Sequence, residues 1–233
     1  MREILKLVHM DYICAKPIGL IFYIIASFMF GILALLFGPI VSSFVIFTSI
    51  SMVFPIQVLE TKNDFGKLYG ILPADRKNIT IARFIYFFAC FFVSEMISII
   101  VSVLSFFIKL YRIFPDTTQG FMMFVEDNFE KPNYPLCFEI LAIVFAVFCI
   151  FFLYIEMMGQ IFGREKEFKI IMITLMVLFF SGLLFFKLSD SIFSLPETIP
   201  GALLFMIVLN IIVFGVCIIF SKVTAKKIIV REL

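Results

Sequence analysis

The chain has 233 residues, of which 63% are hydrophobic and 15% charged, with a formal net charge of +2. A folded soluble domain must turn much of its surface to water, and this chain has too little polar surface to cover itself, so the composition requires a bilayer. The small net charge gives nucleic acid no electrostatic foothold, and a lone His9 with no acidic or cysteine cluster near it is no metal site.

Residues 1–16 read as an amphipathic helix lying in the membrane interface. Ile4, Leu7 and Val8 follow a helical repeat, and Arg2, Lys6 and His9 lie elsewhere on the wheel. The 43 uncharged residues from Pro17 to Leu59 are twice the roughly 20 that one crossing needs. Gly38-Pro39 is their natural break, which predicts a hairpin of two spans over 18–37 and 40–58. Ser42, Ser43, Thr48, Ser49 and Ser51 make the second of these unusually hydroxylated. Further apolar runs predict spans over 81–108, 136–158, 170–186 and 202–220. The expected fold is therefore an all-α integral membrane domain of six transmembrane helices, with a loop at 109–135 that carries an amphipathic helical pattern around Phe121, Phe124, Val125 and Phe129.

Lysines and arginines concentrate on cytoplasmic loops. With the N-terminus inside, fifteen of the nineteen fall on inner segments, and only Lys109, Arg112, Lys131 and Lys187 fall outside. This predicts both termini in the cytoplasm, the segment 60–83 in the cytoplasm, and the 109–135 loop outside.

Polar residues inside the spans are the candidates for a pathway or a helix interface. Glu95 sits near the middle of the third span, where a charge costs roughly 2.5–3.5 kcal/mol on insertion scales. Ser98, Ser102 and Ser105 follow it at helical spacing. Small polar residues at that spacing line either a close helix contact or a polar path, and both readings stand. Asn210 is the comparable residue of the sixth span. The five cysteines form no C-x-x-C pair and read as embedded thiols.

No G-x-x-x-x-G-K-[ST] loop, no H-E-x-x-H and no Ser–His arrangement with a positioned acid occurs, so the chain carries no recognisable catalytic motif and no P-loop for ATP. The segment Glu60–Arg83, ETKNDFGKLYGILPADRKNITIAR, is the charged island between the second and third spans. Asn63 or Asp64 is placed to cap a short helix ending at Pro73, and Phe65, Leu68, Tyr69 and Leu72 share one face of it. A short helix with an aromatic face suits insertion into a partner's groove.

Glu60, the helix at 60–72, Leu72-Pro73, Arg76-Lys77 and Arg83 together resemble the loop between the second and third spans of ABC-2 type transporter permeases. That family includes bacterial exporters of bacteriocins and of amphipathic peptide toxins such as the phenol-soluble modulins. The resemblance implies a non-catalytic permease in the bacterial cytoplasmic membrane that moves a hydrophobic or amphipathic substrate, such as a peptide, out of the cell. It implies a second permease copy, identical or not, and separate cytosolic ATPase subunits that hold the ATP and Mg, with no cofactor on this chain. The ATPase-coupling residues would be Glu60, Asp64, Phe65, Lys67, Leu68 and Tyr69. Two other classes stay open on the residues alone: an ATP-independent secondary transporter or channel centred on Glu95, and a membrane immunity or assembly protein.

Overall fold

The computed structural model describes residues 2–37, 39–62, 75–108, 134–162 and 198–231, and these are helical with no strand among them. Helix α1 (Arg2–Ala15) passes through a π-helical turn (Lys16–Leu20) into α2 (Ile21–Phe37). A 3₁₀ helix (Pro39–Ser49) leads into α3 (Ile50–Lys62), and α4 (Arg76–Ile108), α5 (Tyr134–Phe162) and α6 (Ile199–Arg231) follow. Among the described residues, five stretches are long and apolar enough to cross a membrane: Glu3–Leu36, Val41–Val58, Arg76–Ser105, Pro135–Phe162 and Ile199–Lys227. They contain or overlap five of the six predicted spans. The predicted span at 170–186 and the predicted helix within the 109–135 loop lie outside the described residues.

The N-terminal segment differs from the expected in-plane helix. α1 and α2 form one rod, and it stands alongside α4 in parallel. Asn78 donates to Glu3 at 3.3 Å, Tyr23 pairs with Ser94 at 3.0 Å, and Ser105 donates to the Ala34 carbonyl at 2.9 Å. Pro17, which looked like a boundary, falls in the first turn of the π-helical segment, where the altered register accommodates a residue that cannot donate. Leu7, Asp11 and Ala15 form the buried stripe of α1, while Leu5, Lys6, His9 and Ile13 stay exposed. The 34-residue run Glu3–Leu36 is about 51 Å long at 1.5 Å per residue, against about 30 Å of hydrocarbon. α4 and α6, at 33 residues each, exceed the hydrocarbon by a similar margin. The surplus carries Lys6, Arg76, Lys77, Lys222, Lys226 and Lys227, so the bundle has one basic end that projects beyond the apolar slab.

The hairpin is antiparallel, as Gly38-Pro39 predicts: Ser27 pairs with Thr48 at 2.9 Å, and the Phe30 and Phe44 rings stack. Its second arm opens with eleven residues of 3₁₀ helix, long for that conformation. Hydroxyls explain the register. Thr48 donates to the Val45 carbonyl, Ser49 to Ile46 and Ser51 to Thr48, each three residues back and at 2.6–2.7 Å. The larger 3₁₀ rise also lets a short span reach farther. Nineteen α-helical residues cover about 28 Å, whereas eleven in 3₁₀ and the rest in α cover about 34 Å.

The hairpin closes tightly on Gly19, where an added Cβ would lie 2.6 Å from the Ser51 carbonyl oxygen. Pro55 removes the amide that would otherwise bond that carbonyl in α3. Gly19→Val is expected to destabilise the bundle by about 1–3 kcal/mol, because backbone rather than a movable side chain stands in the way. Thermal unfolding in mixed micelles, followed by circular dichroism, measures it.

Among the described residues α4 is the central helix, packed against α1, α2, the 3₁₀ helix, α3, α5 and α6. Its buried face runs Phe84, Phe87 and Phe91, then Ser94, Glu95, Ser98, Ser102 and Ser105. Large rings fill the half toward the basic end, and small residues bring helices close in the other half. α5 and α6 both run antiparallel to α4. Phe91 meets Phe152, Phe88 meets Phe214, and the Cys217 thiol reaches the Phe84 carbonyl at 3.5 Å. α5 and α6 are therefore parallel to each other, with Tyr154 against Phe220. The outward faces of α2 and α6 are bare apolar side chains, among them Phe28, Met29, Ile207 and Ile211, as lipid contact demands.

Candidate functional site

At the start of α4, Asp75 accepts from the Lys77 amide at 3.1 Å and caps the helix, so α4 begins within the charged island and carries its last residues. Two turns on, Arg83 is turned inward and only 3% exposed, and its guanidinium lies 3.7 Å from the Glu156 carboxylate of α5, which is fully buried. Gln160 donates to Glu156 Oε1 at 2.6 Å, and Gln57 of α3 donates to Oε2 at 3.4 Å. A buried carboxylate persists when a cation and donors serve both its oxygens, and Glu156 has all three partners. The cluster ties α3, α4 and α5 together at the basic end. By sequence position Glu156 belongs among charges that reach the interface at modest cost; the structure instead aims it into the bundle. The available signal was Glu156 and Gln160 at i, i+4, one helical face bearing two polar groups inside an apolar run.

At mid-depth the structure brings together Glu95 and Asn210. Asn210 Nδ2 donates to Glu95 Oε1 at 3.2 Å, joining α4 to α6. Glu95 is wholly buried. The serines beside it engage the hairpin: Ser94 bonds Tyr23 and the Cys90 carbonyl, and Ser98 donates to the Ser42 carbonyl at 2.5 Å. Ser102 Oγ is buried and has no hydrogen-bond partner. Ser98 and Ser102 thus lie on the seam between α4 and its neighbours, separate from the Glu95–Asn210 contact with α6.

Between the α1–α2 rod and α4 lies a cleft of about 410 Å³. Val8, Tyr12, Leu20, Tyr23, Tyr86 and Val93 are among its walls. The Tyr86 hydroxyl donates to the Met52 carbonyl at 3.2 Å and that of Tyr23 is engaged by Ser94, so the phenols present mainly their rings to the space. Such a cleft accepts an apolar chain or side chain and offers little to a charged solute.

Of the residues expected to couple to an ATPase, Glu60 falls in the last turn of α3. Asp64, Phe65, Lys67, Leu68 and Tyr69 lie outside the described residues. Among the described residues no three His, Cys, Asp or Glu side chains gather around a metal position. No family model, no curated protein and no solved structure matches this chain.

Proposed function

We propose that this chain is the transmembrane permease subunit of an ATP-driven exporter of the ABC-2 type, with six spans and both termini in the cytoplasm. Its cargo is a hydrophobic or amphipathic molecule such as a peptide. The observation that carries the reading is the place of the charged island. It joins α3 to α4 at the basic end of the bundle, where the protruding helix ends carry Lys6, Arg76, Lys77, Lys222, Lys226 and Lys227. A chain with no P-loop needs a surface of this kind to receive work from a nucleotide-hydrolysing partner. The parallel course of α5 and α6 supports the six-span count, because two parallel neighbours call for an odd number of crossings between them. The apolar cleft beside α4 supports apolar cargo.

In this reading Phe65, Leu68 and Tyr69 anchor the ATPase, and Glu60, Asp64 and Lys67 set its register from the rim. The test is co-purification with candidate P-loop ATPases, before and after the double change Phe65→Asp and Tyr69→Asp. A complex with the unchanged chain and at least a tenfold loss of affinity in the double variant, with helicity unchanged, is the expected result. Full retention of ATPase binding and of export by the double variant overturns it. A transporter driven by an ion gradient through Glu95 is the second reading, favoured by the buried Glu95–Asn210 contact. Transport into vesicles without nucleotide decides for it.

A further inference from the structure

The contact between Glu95 and Asn210 is half complete. Asn210 Nδ2 bonds Glu95 Oε1, while Glu95 Oε2 and Asn210 Oδ1 are both buried and have no hydrogen-bond partner. A carboxylate oxygen and an amide oxygen are both acceptors, so in the ionised state they cannot satisfy each other. One proton on Oε2 turns that oxygen into a donor. The carboxyl and the amide then have matching edges, one N–H and one O–H against two carbonyl oxygens.

Among the described residues the surroundings offer no other compensation for a charge. The neighbouring serines spend their hydroxyls on the hairpin and on the Cys90 carbonyl. The described titratable groups near this depth are Tyr23 of α2, Cys90 of α4, Cys149 of α5 and Cys217 of α6, thiols and a phenol rather than cations. Toward the basic end, Arg83 on α4 and Lys222 on α6 stand about three turns, or about 18 Å, from Glu95 and Asn210 respectively. Arg83 is already committed to Glu156. An ionised Glu95 in the middle of the bilayer would carry the full cost of a buried, uncompensated charge.

We propose that the Glu95–Asn210 pair is a proton-binding site at the centre of the membrane, with Glu95 held as the neutral acid and its O–H directed to the Asn210 amide oxygen. The site needs only the membrane bundle and stands whether or not the chain is an exporter. Its ligand is a proton, and its product is a neutral link between α4 and α6 that releases if the proton leaves.

Infrared difference spectra of the protein in phospholipid bilayers at pH 7, wild type minus Glu95→Gln, test this. The expected difference is the loss of one carbonyl stretch of a neutral carboxylic acid. Loss of a carboxylate band in its place overturns the proposal. In Asn210→Leu the acid band is expected to persist and to move to higher frequency as its hydrogen bond disappears; an unmoved band overturns the pairing. Glu95→Gln also supplies its own folding control. Its amide reproduces both bonds without a proton, so its melting temperature is expected within about 3 °C of wild type. A Glu95→Gln chain that fails to fold counts against a neutral Glu95.

Discussion

Glu156→Ala is expected to destabilise the bundle by about 3–5 kcal/mol, the range for breaking a buried ion pair from one side. The change removes a carboxylate that serves three side chains from three helices: Arg83, Gln57 and Gln160. What it leaves behind is costlier than what it takes away. The Arg83 side chain is 3% exposed, so without Glu156 its guanidinium loses the carboxylate it faces at 3.7 Å in a setting with little water. Removing both charges tests this account. Arg83→Met with Glu156→Leu conserves approximate volume and deletes the ion pair entirely, and is expected to fall within about 1.5 kcal/mol of wild type, since replacing a buried pair by apolar groups is often neutral or better. Unfolding in mixed micelles of the two single variants and the double variant closes the thermodynamic cycle. A double variant as unstable as Glu156→Ala alone would show that the pair itself, rather than the charge left facing the vacated site, holds the three helices.

That cluster also marks where the sequence stops being readable. The spans are legible because lipid admits only elements that satisfy their own backbone, so each apolar run of sufficient length becomes a helix. The hairpin at Gly38-Pro39 is legible because Pro ends one helical register and permits another. Which way Glu156 faces is only faintly legible: α5 is apolar nearly all round, so apart from the Glu156 and Gln160 pair at i, i+4 its sequence displays no preferred inner face. Glu95 and Asn210 stand out separately as polar residues in apolar spans. Their meeting depends on the antiparallel register of two helices whose contact residues are 115 apart in the chain, and that register comes from side-chain packing rather than from any local pattern. The continuous α1–α2 rod is a similar case. Pro17 reads locally as a boundary, and only the packing of α1 along the first turns of α4 keeps the helix running through it. The charged island is the reverse: its sequence pattern is the sharpest in the chain, but half of it, residues 63–74, lies outside the described residues.

The two halves of the α4 face should respond oppositely to changes in size. Phe91 is fully buried among the core side chains and packs on Phe152. In lipid the apolar transfer term largely cancels, because an unassociated helix also keeps Phe91 in a hydrocarbon environment. The cavity term remains. Phe91→Ala opens about 100 Å³, which at about 24 cal/mol per Å³ predicts a loss of about 2–3 kcal/mol. Ser98, two turns farther along the same face, touches the Ser42 backbone at 2.5 Å and leaves no space for a larger group. Ser98→Leu is expected to cost about 1–3 kcal/mol by forcing α4 from the 3₁₀ arm of the hairpin, while Ser98→Ala loses one hydrogen bond and costs about 0.6 kcal/mol. The ordering is the informative quantity, since a polar path and a packed seam predict different ones. If the serine face bordered an open aqueous path, leucine would project into space and would be tolerated almost as well as alanine in unfolding measurements. A packed seam makes the leucine variant the less stable by at least 1 kcal/mol, because a backbone carbonyl held by two helices cannot rotate out of the way as a side chain would.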